Sequence, residues 1–277
     1  MGIFYGGGVD ASYSLIMHLE EVEFLVLAFG FDFSFSQEEI RESVLRNSRF
    51  SKRLGKELVP VETNHSQFVA SLRVSRQLVY GATLACVGLL LGPRTCYIAS
   101  GHSAANMRPD GSHPVLDHLF SNEVTEFIHD DVSVVRLEKT WTVAKHPDFL
   151  ENLRVCWDSH NENCGACSKC LRTMVALRLC GAEGPFPPLH DLRLLRRMAA
   201  STELEYVVGM ILAAHERGDR EVVRQLKKGL RDSDRKEAIR YLDQALLGGR
   251  LRRWYTGRRG IELDLLKVNL RPDLDIP

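Results

Sequence analysis

The sequence predicts an α/β fold, a twisted parallel sheet with helices on both faces, followed by a cysteine cluster and a C-terminal helical extension. Three observations lead there. Short apolar runs alternate with helical spacing over the first 150 residues, as right-handed strand–helix–strand crossovers require. The run Phe24-Leu25-Val26-Leu27-Ala28-Phe29 is continuously apolar, as in a strand covered on both faces. From residue 189 to 257 the pattern is almost wholly helical.

In order, residues 3–5 read as a strand stub and Gly6-Gly7-Gly8 as a loop, and 10–19 have helical spacing. Residues 24–29 form a second strand, and 37–54 an amphipathic helix stopped by Gly55. A strand over 58–61 precedes an apolar helix over 78–91, which Gly92-Pro93 ends. Strands follow over 96–99 and 132–135. In such sheets ligands sit beyond the carboxyl ends of the strands, so loops 5–9, 30–36 and 100–103 share the expected binding edge. Loop 101–121, with Pro109, Asp110, Gly111, His113 and Pro114, is long for a connector, which points to function or mobility. A helix runs from Cys170 to about Cys180, and Gly184-Pro185-Phe186-Pro187-Pro188 then breaks the chain. In the extension, Leu194, Leu204, Val208, Ile211 and Leu212 form an apolar stripe. The domain reading is 1–153 for the α/β part, 154–183 for the cysteine segment and 184–277 for the extension.

Composition narrows the class. The 277 residues are 44% hydrophobic with zero formal net charge, which suits a globular protein and argues against nucleic acid as a partner. No apolar run reaches the ~18 residues a membrane span needs, and Met1 leads directly into the first strand. A cytoplasmic location without membrane association is the expectation. The first strand is short for a central one, which raises the expectation of a misplaced start or a truncated form.

Seven cysteines in such a chain are no disulfide framework. Cys86, Cys96 and Cys180 are scattered in apolar settings and read as small buried side chains. Cys156, Cys164, Cys167 and Cys170 have the x7, x2, x2 spacing that brings four thiolates to one tetrahedral zinc ion, with Gly165 allowing the tight turn. An iron–sulfur cluster and a redox pair remain alternatives. A closed four-sulfur shell leaves no open position, so the zinc is assigned no catalytic role.

The loop Gly6-Gly7-Gly8-Val9-Asp10-Ala11 joins a strand to a helix, where bare backbone and a helix N-terminus suit phosphate. It is no kinase-type P-loop, because no Gly-Lys-Ser/Thr follows. It resembles the Ser-Gly-Gly-x-Asp-Ser motif of the PP-loop ATP pyrophosphatases, which Gly7-Gly8-Val9-Asp10 matches at the centre. Gly6 and Ala11 stand where that motif has its serines. An unbroken glycine run predicts a backbone-lined cradle with a positive φ at Gly6.

Within that superfamily the Cys164-Gly165-Ala166-Cys167-Ser168-Lys169-Cys170 core is similar to that of the 7-cyano-7-deazaguanine synthases. Gly111-Ser112-His113-Pro114, Val135-Arg136-Leu137-Glu138-Lys139, Arg154-Val155-Cys156-Trp157 and Lys169-Cys170-Leu171-Arg172-Thr173 extend the likeness to a divergent subgroup, over roughly residues 3–180. The resemblance implies an adenine nucleotide alpha hydrolase-like fold using ATP and Mg²⁺. It implies adenylation of a carboxylate, then amide or nitrile formation with ammonia or another amine. The acceptor is expected to be a small-molecule or peptide carboxylate, and a homodimer is left open. Gly6, Gly7, Gly8, Val9, Asp10 and Ala11 would bind ATP. Arg136 and Lys139 would offset charge during catalysis, against the alternative of a surface ion pair with Glu138 or Asp148. Ser100, His113 and Asp117 are candidate substrate contacts. Two rival readings are a nucleotide-binding protein without catalysis and a zinc-ribbon nucleic-acid binder. The latter leans on Arg250, Arg252, Arg253, Trp254, Tyr255, Arg258 and Arg259.

Overall fold

The computed structural model describes residues 1–31, 35–156, 158–159 and 161–247. The basic and aromatic patch at 250–259 therefore lies outside the described residues, as do Trp157 and residues 32–34 of the second loop. Among the described residues five strands form one sheet of order β3-β2-β1-β4-β5, and every neighbouring pair is parallel. They are β1 (Gly2–Phe4), β2 (Phe24–Phe29), β3 (Glu57–Glu62), β4 (Thr95–Ala99) and β5 (Glu126–Asp130). The strand β1 has only three residues, yet pairing continues past both ends. Glu23 N–H donates to Met1 O at 2.8 Å, and Tyr5 N–H donates to Val26 O at 2.9 Å.

Between and after the strands run α1 (Val9–Met17), α2 (Gln37–Arg53), α3 (His65–Ser71), α4 (Arg76–Leu91), α5 (Pro114–Asp117), α6 (Arg136–Ala144) and α7 (Pro147–Glu151). The last four helices among the described residues are α8 (Ser168–Cys180), α9 (Leu194–Ala199), α10 (Leu204–Glu216) and α11 (Arg220–Leu247). Local chemistry sets several ends. Ser36 and Glu39 close a reciprocal capping box on α2, and Gly92, at φ 63°, ends α4 in the left-handed conformation.

Alternation along the strands divides the core. Ile3, Leu25 and Tyr97 face α1, α2, α6 and α7 through Leu15, Phe50, Val143 and Phe149. Val26, Cys96, Ile98 and Phe127 face the other way, onto Leu84, Ala85 and Val87 of α4. There α4 lies so close that a Cβ on Gly88 would stand 2.5 Å from the Phe127 ring. A third cluster joins α8, α9, α10 and the start of α11, through Val175, Met198, Ala214 and Val222 among others. Met1–Leu230 forms one compact unit. Among the described residues no helix is long and apolar enough to cross a membrane.

Two expectations need correction, and the apolar stripe of the extension gains detail. The fifth strand is Glu126–Asp130, not 132–135. Asp131 sits at φ 55° and its carboxylate accepts from both the N–H and the hydroxyl of Ser133, so the apolar Val132, Val134 and Val135 belong to the turn before α6. The buried side of α10 is Val207, Met210, Ala213 and Ala214, whereas Leu204, Val208 and Leu212 are exposed. Cys96 is buried as expected and Cys180 partly so, but Cys86 is exposed.

Candidate functional site

The sheet order reverses direction between β1 and β4, and the loops leaving their carboxyl ends bound the crevice where open α/β sheets take ligands. The first is the glycine loop. Gly7 adopts φ +84°, and a Cβ there would lie 2.9 Å from the Asn152 carbonyl oxygen. Its own carbonyl accepts from Arg154 N–H at 2.8 Å. Positive φ thus falls on Gly7 and not on Gly6, because this residue turns the chain past the 152–154 segment. A Cβ on Gly6 or Gly8 would meet nothing within 4 Å, so that side of the loop is open. Gly8 is the N-cap of α1 and brings no capping side chain, while Val9 is buried in the core and anchors the helix start.

Asp10, in the first turn of α1, forms an ion pair with Arg136, the first residue of α6. This replaces the surface pairing with Glu138 or Asp148, since Asp148 instead meets Arg53 at 3.3 Å. Burial works most strongly against the Arg136 charge, but Asp10, Tyr206 and Glu203 together outweigh it and hold the guanidinium above its usual range. Lys139 lies one turn on, only 1% exposed, and donates to the carbonyls of Ser100 (3.1 Å) and Asp131 (2.9 Å). Burial lowers its pKa, and the nearby Asp10 and Asp131 offset part of that. Lys139 therefore ties α6 to the loop after β4.

Ser100 is buried just past β4, and its hydroxyl donates to His102 O at 2.6 Å, so it shapes that loop. His113 and Asp117 make their contacts elsewhere. His113 caps α5 by accepting from Val115 N–H, while the fully buried Asp117 accepts from Ser112 Oγ, His113 N–H and His129 Nδ1. This group packs against α4, where Gly81 and Gly111 approach so closely that a Cβ on either would strike backbone of the other segment. Glycine loop, Asp10, Arg136, Lys139 and Ser100 are thus brought together, and His113 and Asp117 form a separate buried group.

Sequence reasoning missed the residues that complete the crevice. Tyr206 on α10 donates from its hydroxyl to Gly101 O at 2.9 Å, and the Arg172 guanidinium lies over its ring, 5.3 Å from the centroid. Arg172 was legible as the arginine two residues past the last cysteine; Tyr206 had no comparable signal. Asp10 Oδ1, Arg136 Nε, Arg172 Nε and His102 Nδ1 are all buried without a partner. They are four of the eleven buried side-chain atoms without a partner among the described residues, and they give this crevice unused hydrogen-bonding capacity.

The four cysteines form a separate centre. Their sulfurs all lie within 4.8 Å of one another, with Cys156 and Cys167 at 3.9 Å and Cys164 and Cys170 at 4.0 Å. A tetrahedral zinc with Zn–S bonds of ~2.3 Å would hold its sulfurs about 3.8 Å apart, and a disulfide would need about 2.05 Å. The residues fit a metal ion such as zinc. Backbone N–H groups of Asp158, Ser159, Ala166, Cys167 and Cys170 point at sulfurs at 3.3–3.5 Å, as suits thiolates. Gly165 takes φ +69° against the Pro187 ring. Asn163 clamps the segment, accepting from Val155 N–H and donating to Leu153 O and Pro185 O.

No family model matches the chain, and no curated protein matches it significantly.

Proposed function

We propose that this protein binds ATP with magnesium at the glycine loop and adenylates a carboxylate with loss of pyrophosphate; an amine such as ammonia then displaces AMP to give an amide, and with ammonia a second adenylation of that amide and loss of AMP would give a nitrile. The fold would be of the adenine nucleotide alpha hydrolase-like type, and the chemistry that of the PP-loop enzymes resembling 7-cyano-7-deazaguanine synthases. The observation that carries the reading is the Asp10–Arg136 pair standing beside an open glycine loop at the point where strand order reverses.

Each residue has a part in it. The open side of Gly6 and Gly8 and the uncapped start of α1 would cradle phosphate oxygens. Asp10, with Oδ1 unpartnered, would share the magnesium ion that accompanies the nucleotide. Arg136 would be released toward phosphate as that ion takes Asp10, offsetting charge as the acceptor carboxylate attacks the α-phosphorus and pyrophosphate leaves. Lys139, spent on two carbonyls, would position the loop rather than touch the substrate. Cys156, Cys164, Cys167 and Cys170 would hold zinc as a structural crosslink next to this loop, since Arg154 binds Gly7 two residues before the first ligand.

The test is ATP–pyrophosphate exchange across a panel of carboxylic acids, with direct titration of pyrophosphate. Exchange stimulated by one acid and weakened at least tenfold by Arg136→Gln is expected. A second reading has an observation of its own: Gly6 and Ala11 bring no hydroxyls to the loop. Nucleotide binding without exchange for any acid would favour that non-catalytic role, and no pyrophosphate binding would refute both.

A further inference from the structure

Beside the Asp10–Arg136 pair lies a second charge arrangement, built from three distant segments. Glu203, the N-cap of α10, places its carboxylate between two guanidiniums. One oxygen accepts from Arg108 Nη1 at 3.1 Å, and the other lies 3.6 Å from Arg172 Nη1. Arg108 comes from the loop after β4 and Arg172 from the helix that carries two of the cysteines.

The Arg172 side chain is 15% exposed, its Nε has no partner, and its closest carboxylate oxygen is too far for a good hydrogen bond. Burial and the neighbouring Arg136 both work against its charge. It is thus a cation with unused donor capacity. Glu203 is the more open partner, with its side chain 36% exposed. Its pKa stays low despite burial, because backbone and the two arginines favour the charged form. Tyr206 fixes the Arg172 plane from one side and binds Gly101, whose Cα faces Arg136. Two guanidiniums flank one carboxylate, Arg108 hydrogen-bonded to it and Arg172 close enough for charge attraction, and both present donors that suit a carboxylate. Here the chain itself supplies that carboxylate.

We propose that Arg108 and Arg172 form the binding site for the acceptor's carboxylate, and that Glu203 occupies it as a tethered competitor which the entering carboxylate displaces. The identity of the entering group rests on the adenylation reading; the exchange itself rests on these three side chains. A tethered competitor acts at high effective concentration, so the parent protein should bind free small carboxylates poorly.

Acetate and pyrophosphate serve as separate probes, titrated by NMR into the zinc-loaded protein. Glu203→Gln and Glu203→Ala should each bind acetate about tenfold more tightly than the parent, the worth of one charge-assisted hydrogen bond. Arg172→Gln in either background should remove that gain. Gly8→Val should weaken pyrophosphate binding and leave the acetate gain intact. If the alanine variant unfolds, the isosteric glutamine variant carries the test. Acetate affinity equal to the parent's in the folded variant, or a gain that survives Arg172→Gln, overturns the proposal. An acetate gain without any pyrophosphate binding would keep this site and remove the nucleotide reading.

Discussion

Replacing Gly7 with alanine should destabilise the protein far more than replacing either neighbouring glycine. At φ +84° a residue with a Cβ pays ~1–2 kcal/mol in backbone strain. The new Cβ would also stand 2.9 Å from the Asn152 carbonyl oxygen. Asn152 cannot retreat easily: it is 3% exposed, and its side-chain amide donates to Tyr5 Oη at 3.2 Å and Asn47 Oδ1 at 3.1 Å. Forcing an atom into such a place costs about 1–3 kcal/mol, while lost freedom in the unfolded chain returns about 0.4–1 kcal/mol. The net is a loss near ~3 kcal/mol, a large share of the ~5–15 kcal/mol that holds a domain folded. Gly6→Ala meets no atom within 4 Å and should be neutral or slightly stabilising. Urea denaturation of both variants, compared at a common slope, measures the difference. Midpoints for Gly7→Ala and Gly6→Ala that agree within about 0.5 kcal/mol would refute the loop geometry and the reasoning built on it.

Elemental analysis of protein purified without chelator should give close to one zinc per chain, and Cys164→Ser should lower it; substantial iron with visible absorbance would remove the zinc assignment. Asn163→Ala strips partners from the Val155 amide and the Leu153 and Pro185 carbonyls, and should cost roughly 2–4 kcal/mol in thermal melts while reducing retained zinc. Asp219→Ala removes the acceptor of the Val222 N–H at the start of α11 and the partner of Arg178, and should cost about 0.5–2 kcal/mol at pH 6. The folded pKa of Asp219 is depressed because these donors outweigh burial, so its contribution is present above the unfolded carboxylate value of ~3.9 and fades as pH falls through the lower folded value. Urea melts at pH 6 and pH 3 should show the gap between parent and variant narrowing at pH 3; an unchanged gap would contradict the assignment.

What the sequence by itself determined is whatever short-range physics decides. The apolar run 24–29 is β2 to the residue, because six consecutive apolar side chains can be buried only between two layers. Gly92 ends α4 because its left-handed conformation suits glycine. The spacing of four cysteines within fifteen residues brings their sulfurs together through a loop too short to place them far apart. Tertiary structure alone decided the rest. Three consecutive glycines are alike until Asn152 and Arg154 pack against the loop, and only then does Gly7 become the one that must turn. The strand Glu126–Asp130 has mixed polarity and was hidden, while the more apolar turn after it drew attention; β4 supplies the pairing that makes the former a strand. Leu204, Val208 and Leu212 belong to the apolar stripe of the extension, but α10 is oriented by Val207, Met210 and Ala214 against α8 and α9, a packing fit that periodicity cannot distinguish from its one-residue shift. The Asp10–Arg136 pair joins residues 126 positions apart, and Glu203 meets Arg108 across 95. Charges at such separations carry no local signature: strand order brings the ends of β1 and β5 to one edge of the sheet, and helix packing brings α10 to α8.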